Sequence, residues 1–216
     1  MCASYGLDPR FDEHDLIDVA DAGVLQSLRA FAATNANEPL RPTGRHLRNL
    51  NPVFTADQSS HIELTSAWWG YLVEGRPSKF PSINTRSERL GSRPGRLPGR
   101  AIVPATSWFE LQKPDRVWYD FEVEHRADAP PPLFGMAAVT QRGVTESGEP
   151  VICYSIVMRP AVPWLRHIHD RMPVLIPGTF ATEWLTSDDP APALIDAALA
   201  ASEARSESIS ATRRAG

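Results

Sequence analysis

Cysteine is scarce. Two in 216 residues, Cys2 and Cys153, exclude a disulfide-built scaffold and suit a reducing compartment. Long apolar runs are missing too. No stretch approaches the roughly eighteen residues a membrane helix needs, and no basic-then-apolar leader is present, so a soluble cytoplasmic protein with no membrane partner is expected. Neither charge sign dominates: 22 basic side chains face 26 acidic ones. The net −4 does not advertise a nucleic-acid binder, although the distribution of charge counts for more than its sum. No internal repeat is visible. Proline, in contrast, is abundant at 20 residues, about twice the usual share, which favours short elements and ordered loops over a long-helix bundle. A chain of this length fits one domain and buries about 70 % of its unfolded surface without a staple.

Helically spaced apolar residues between Asp12 and about Asn35 predict one or two helices. Residues 3–11 read as irregular. Residues 61–73 predict a strand in which Gly70 marks a close backbone approach. Residues 84–90 predict a short helix with Asn84 as its N-cap, and 91–100 a Gly/Pro/Arg loop. Strands follow at 101–111, 116–124, 132–140 and 151–158, separated by Pro, Gly and charged turns. Residues 160–169 read as helical, 172–176 as a strand, 182–185 as a short helix and 191–204 as a terminal helix. The expected fold is α+β: one domain over 1–204 with a mainly antiparallel sheet, then a disordered tail over 205–216.

Four stretches carry side chains with usable chemistry. Met1 is followed by Cys2. With the methionine removed, Cys2 bears an α-amine of pKa about 7.7–8.0 beside a thiol of about 8.5. That 1,2-aminothiol can close on an aldehyde as a five-membered thiazolidine; the bland alternative is a cysteine in a frayed terminus. Between Asn84 and Arg100, five arginines (86, 89, 93, 96 and 100) face the single acid Glu88. Such a stripe positions a phosphate backbone without reading bases, or is simply a solvated basic loop. Trp108-Phe109-Glu110 sets a carboxylate among aromatics, where desolvation raises its pKa into the acid/base range; an outward-facing edge-strand Glu is the alternative.

His167-Ile168-His169 has ligand spacing on a strand, but no second His or Cys pair accompanies it, so no metal or other cofactor is expected. Proton transfer by a single histidine suits its pKa better. Trp68 and Trp69 either stack bases or belong to the core.

In this order, these pieces resemble the SRAP family (SOS response-associated peptidase, or abasic-site processing proteins), from Cys2 to about Leu185. The matching segments are Met1-Cys2, Pro42-Thr43, Trp69-Gly70, Asn84 to Glu88, Val103-Pro104-Ala105 leading to Phe109-Glu110, and His169-Asp170-Arg171-Met172-Pro173-Val174. The resemblance implies an open, barrel-like, mainly antiparallel β core flanked by short helices. It also implies a monomer that senses abasic sites in single-stranded DNA and crosslinks to them through the amine and thiol of Cys2. By motif matching, Glu110 is the acid/base, His169 assists the Schiff-base chemistry and Asn84 orients Cys2. DNA contacts fall to Arg86, Arg89, Trp68, Trp69, Arg171, Met172, Pro42 and Thr43.

The chain also departs from the family pattern. Ala3-Ser4-Tyr5 replaces Gly-Arg-Tyr/Phe, Leu111 replaces a Trp, Met158-Arg159 replaces a Thr pair, and 91–99 reads as an insertion. Two other functions fit the same residues: an N-terminal-nucleophile cysteine peptidase or amidase, and a non-covalent single-strand binding module.

Overall fold

A computed structural model describes residues 2–12, 20–35, 38–43, 48–78, 82–113 and 115–214. Chain order begins with strand β1 (Tyr5–Gly6), helix α1 (Ala22–Thr34), β2 (Leu50–Ala56), β3 (Ile62–Trp69), β4 (Leu72–Val73) and β5 (Arg76–Pro77). β6 (Asn84–Arg86) and α2 (Ser87–Gly91) follow, then β7 (Gly99–Ala105), β8 (Ser107–Gln112), β9 (Val117–Val123), β10 (Phe134–Val144) and β11 (Pro150–Pro160). The chain closes with β12 (Arg171–Pro173), β13 (Leu175–Ile176), α3 (Gly178–Thr186), α4 (Ala191–Glu207) and β14 (Ile209–Arg213). No helix among the described residues is long and apolar enough to cross a membrane.

Five strands close into a barrel. β11, β3, β2, β7 and β10 neighbour one another in that order, and β10 pairs back onto β11. All seams are antiparallel except β11 with β3, which is parallel. Both faces of the barrel wall are covered and apolar: Phe54 and Ile102 on one, Val53, Met136 and Ile156 on the other, are all buried. A separate four-stranded sheet runs β1-β8-β9-β14. The architecture is therefore the expected α+β fold with a barrel-like, mainly antiparallel core and, among the described residues, four α-helices.

The barrel is left open at one point, and that opening positions the site. β3 pairs with β11 only as far as Trp69 opposite Tyr154. Gly70 then adopts φ +93°, a left-handed conformation that glycine reaches without steric cost, and its N–H donates to Tyr154 O at 2.8 Å. β6 takes over the same edge of β11, Asn84 facing Ile156 and Arg86 facing Met158. β12 pairs with β11 over Met158–Pro160 from the other side. Side chains from three short neighbouring segments thus converge at one mouth.

Several local expectations give way to this topology. Residues 84–86 form a strand rather than a helix start, because the parallel seam with β11 claims their backbone; the helix begins at Ser87, after Arg86. The run 101–111 breaks at Thr106, whose N–H goes to Gly6 O at 2.9 Å, so β7 stays in the barrel and β8 enters the second sheet. The run 172–176 is likewise two strands, β12 on β11 and β13 on β10, and 160–169 holds only a 3-10 turn at Pro163–Leu165. Residues 205–207 continue α4, and 209–213 form β14, hydrogen-bonded along β9, where a disordered tail was expected. Residues 215–216 of that tail lie outside the described residues, as do 13–19 of the first expected helix.

Candidate functional site

Cys2 is held rather than frayed. Tyr5 exchanges backbone hydrogen bonds with Leu40 at 3.2 and 2.8 Å, and Phe109 N–H donates to Ser4 O at 3.1 Å. The Tyr5 ring packs on Trp69 with centroids 5.1 Å apart, and Trp69 stacks on Tyr154 at 6.0 Å. Hydroxyls of Tyr5 and Tyr154 meet at 3.3 Å, and Asn51 Nδ2 donates to Tyr154 at 3.2 Å, so this buried polar group is satisfied. The opening residues are thereby zipped between β8 and Leu40, and Cys2 is fully buried. Asn84 Nδ2 donates to Cys2 O at 2.7 Å, and the Cys2 thiol donates to Ser4 O at 3.6 Å.

Glu110 comes to the same place on β8. It is 3 % exposed, and that burial pushes its pKa up to about 7, because a low-dielectric setting disfavours the charged form. Burial, with the Glu110 carboxylate adding to it, also holds the Cys2 thiol well above its usual range. His169 Nε2 lies 4.0 Å from Glu110 Oε2. The Arg171 N–H lies 3.0 Å from His169 Nδ1, and the same nitrogen is 3.2 Å from both Arg171 O and Asp170 Oδ1. Burial pulls the imidazole pKa below its usual value. A carboxyl that titrates near neutrality beside a neutral imidazole can both give and take a proton at a reacting atom set between them.

Asn84, Arg86, Glu110, His169 and Arg171 are among the walls of one cleft of about 500 Å³, which Ala3 reaches while the neighbouring Cys2 stays buried. A second cleft of about 480 Å³ shares Asn84 and Thr85 with it and is lined by Arg89 and Arg93. The basic stripe therefore divides. Arg86, Arg89 and Arg93 are exposed near the clefts. Arg96 pairs with Asp188 at 2.6 Å, and Arg100 donates to Leu185 O and Ser187 O at the end of α3. Arg171 is bound to Glu88 at 2.6 Å.

The aromatic and proline positions divide as well. Trp68 and Thr43 line a small hollow of about 70 Å³ with Pro42 and Trp69, away from Glu110. Trp69, 1 % exposed with its Nε1 donating to Ile83 O at 2.9 Å, is a core side chain and offers no face to a base. Met172 is equally sealed at 1 %. His167 is exposed and outside the cleft, its carbonyl accepting from Gln112 Nε2 at 2.9 Å, so the His-x-His spacing sits on a turn rather than a strand. Among the described residues no three His, Cys, Asp or Glu side chains gather as a metal set. Lys113 and Trp118 also line the cleft; nothing in their local pattern singles them out, since only the β8–β9 pairing brings them there.

Fold and cleft together define a carboxyl and an imidazole lining a cleft beside a mixed β-barrel, with a buried cysteine tied to that cleft through Asn84. The family model described as SOS response associated peptidase (SRAP) matches residues 20–213, and the chain belongs to that family. It is similar to the abasic site processing protein YedK of Escherichia coli, 32 % identical over 155 residues that cover 68 % of this chain and 67 % of that protein. The abasic site processing protein YoaM of Bacillus subtilis is 25 % identical over 203 residues, 89 % of this chain and 82 % of its own. A crystal structure of a Bordetella bronchiseptica protein shares the fold, with a TM-score of 0.64 at 20 % identity over 100 % of both chains.

Proposed function

We propose that this protein processes abasic sites in single-stranded DNA, forming a thiazolidine crosslink through Cys2 after Met1 is removed. The observation that carries the reading is a cleft lined by Asn84, which donates to the carbonyl of the buried Cys2, by Glu110 with its near-neutral pKa, and by His169 4.0 Å from that carboxyl. An abasic sugar is in equilibrium between a cyclic hemiacetal and an open aldehyde. Glu110 moves the proton from the C1 hydroxyl to the ring oxygen as the sugar opens. The Cys2 amine adds to the aldehyde carbon, and loss of one water gives the imine, with protonated Glu110 or His169 supplying the proton to the departing hydroxyl. The thiol sulfur then bonds to the imine carbon, and its proton passes to the nitrogen. Burial keeps the thiol protonated, so the amine acts first and the thiol closes the ring. The same reading has the protein act as a cytoplasmic monomer whose partner is damaged single-stranded DNA.

Intact-mass measurement tests it. The mature chain should lack Met1, and incubation with an abasic oligonucleotide should add the mass of the DNA less one water, in a heat-stable form without borohydride. Cys2→Ser should give only a reversible imine that borohydride traps. A stable adduct from Cys2→Ala would overturn the linkage. A second reading, an N-terminal-nucleophile peptidase or amidase, is favoured by the same buried thiol within the field of Glu110, with His169 4.0 Å from that carboxyl. Turnover of peptides other than its own Met1, lost in Cys2→Ser, would select it.

A further inference from the structure

Five large apolar side chains are well exposed among the described residues: Leu50, Val73, Trp118, Val144 and Trp164. Only Trp118, 42 % exposed, lines the cleft that holds Glu110 and His169. Exposing an indole to water forgoes the gain from burying one of the largest apolar surfaces a residue offers. The Trp118 backbone is held from both sides. Leu111, also lining the cleft, faces Trp118 across the β8–β9 seam. On the other side the C-terminal chain closes against it, with Arg214 N–H donating to Trp118 O at 2.9 Å. The Arg214 guanidinium spans back to Asp120 Oδ1 at 2.8 Å and lies 4.4 Å over the ring of Phe109, another wall of the same cleft. Lys113, at the start of the β8–β9 turn, lines the cleft as well, and its charge is felt by His169.

We propose that Trp118, whose backbone is braced by Arg214 at the end of the C-terminal segment, is the stacking platform for the nucleobase next to the abasic sugar. This rests on the reading of the cleft as an abasic-site pocket and assigns its neighbouring subsite. An abasic sugar has no base to recognise, so a protein gains its purchase from the bases beside the gap. An exposed indole takes any base by its π face, without sequence preference. Lys113 is placed for a phosphate of the same nucleotide. β14 is then part of the site: it backs the hairpin that carries the platform.

A binding cycle with an aldehyde-free lesion analogue tests this, since a tetrahydrofuran residue cannot crosslink and binding stays at equilibrium. Single strands carry one tetrahydrofuran, with the neighbouring base on either side replaced in turn by a second one. For the wild type, removing the base on one side should weaken binding about 5- to 100-fold. Trp118→Ala should weaken binding to the intact neighbour by the same factor and show no further loss when that base is removed. Trp118→Phe should keep most of the base dependence, whereas Trp118→Leu, which keeps apolar bulk without a ring, should lose it. Arg214→Ala should give a smaller loss confined to strands that retain that base. The proposal is overturned if Trp118→Ala weakens binding equally with and without the neighbouring bases, or if Trp118→Leu behaves as Trp118→Phe. Crosslinking is measured separately on aldehyde-bearing strands. Failure there with an intact cycle sinks the covalent chemistry and leaves the platform, and the reverse outcome sinks the platform alone.

Discussion

At the scale of single residues, burial decides what each group can do. Glu110 is an ordinary carboxylate in the unfolded chain and titrates near 7 in the folded one. Its folded state therefore binds a proton that the unfolded state has already lost, so this residue's contribution to stability falls as pH rises from about 4.5 through about 7 and levels off above that. A shift of this size costs about 3 kcal/mol at pH 8. Glu110→Gln should accordingly melt several degrees higher than the wild type at pH 8, with the advantage vanishing near pH 4.5. The same variant should form the crosslink roughly 100-fold more slowly or worse. Thermal melts and single-turnover conjugation across that pH range check both halves, and a variant less stable at pH 8 would refute the burial argument. His169 works in the opposite sense: its pKa is lowered by burial, so its contribution is lost as pH falls below about 6.5.

At the scale of elements, pairing partners distant in sequence overrode local signals. Asn84 followed by an acid-containing polar run has the composition of a helix cap, and nothing within ten residues distinguishes it from the strand it forms. The deciding partner is β11, some seventy positions on, whose Ile156 N–H donates to Ile83 O at 3.0 Å. Asn84 is thereby turned from a cap into the donor that orients Cys2. The last residues were illegible for a related reason. Ser, Ala and Arg carry little β-propensity, yet Ile209 is 3 % exposed and the strand runs in register along β9 from Val123 to Tyr119. Truncation after Ser208 should lower stability by at least the about 1.5–3 kcal/mol that burying Ile209 contributes. It should also weaken DNA binding; denaturant unfolding and a filter-binding titration check the two effects. Unchanged stability would mean that β14 pairs too weakly to matter.

At the scale of the whole molecule, the basic stripe and the clefts set the electrostatics. The arginines that look equivalent in sequence are of two kinds: Arg89 and Arg93 line the second cleft, while Arg96 is held by Asp188 and Arg100 by the carbonyls closing α3. Each phosphate contact on a single strand contributes about −0.7 to the slope of log K against log salt. Replacing Arg89 and Arg93 together by Ala should therefore flatten that slope by about 1.4, whereas Arg96→Ala should leave it unchanged. Titrations at four or five salt concentrations separate the two, and equal flattening would show that the basic loop acts only by its total charge.

The chain by itself determined the chemical inventory and the class of fold. Cys2, Asn84, Glu110 and His169 are recognisable by type and order, and strands punctuated by Pro and Gly from residue 101 onward could only build a sheet-rich domain. Gly70, expected as a close approach within a strand over 61–73, instead ends β3 at Trp69, because its φ of +93° leaves few alternatives to glycine. Tertiary structure alone decided that Trp69 is core while Trp68 stays partly exposed, which arginines remain at the clefts, and that Trp118 lines the cleft of Glu110. The physical reason is common to all of these. Alternation, capping and turn propensity act within a few residues, whereas desolvation and strand pairing depend on what the rest of the chain brings alongside. The working pKa of Glu110 and the sealed position of Cys2 exist only once that has happened.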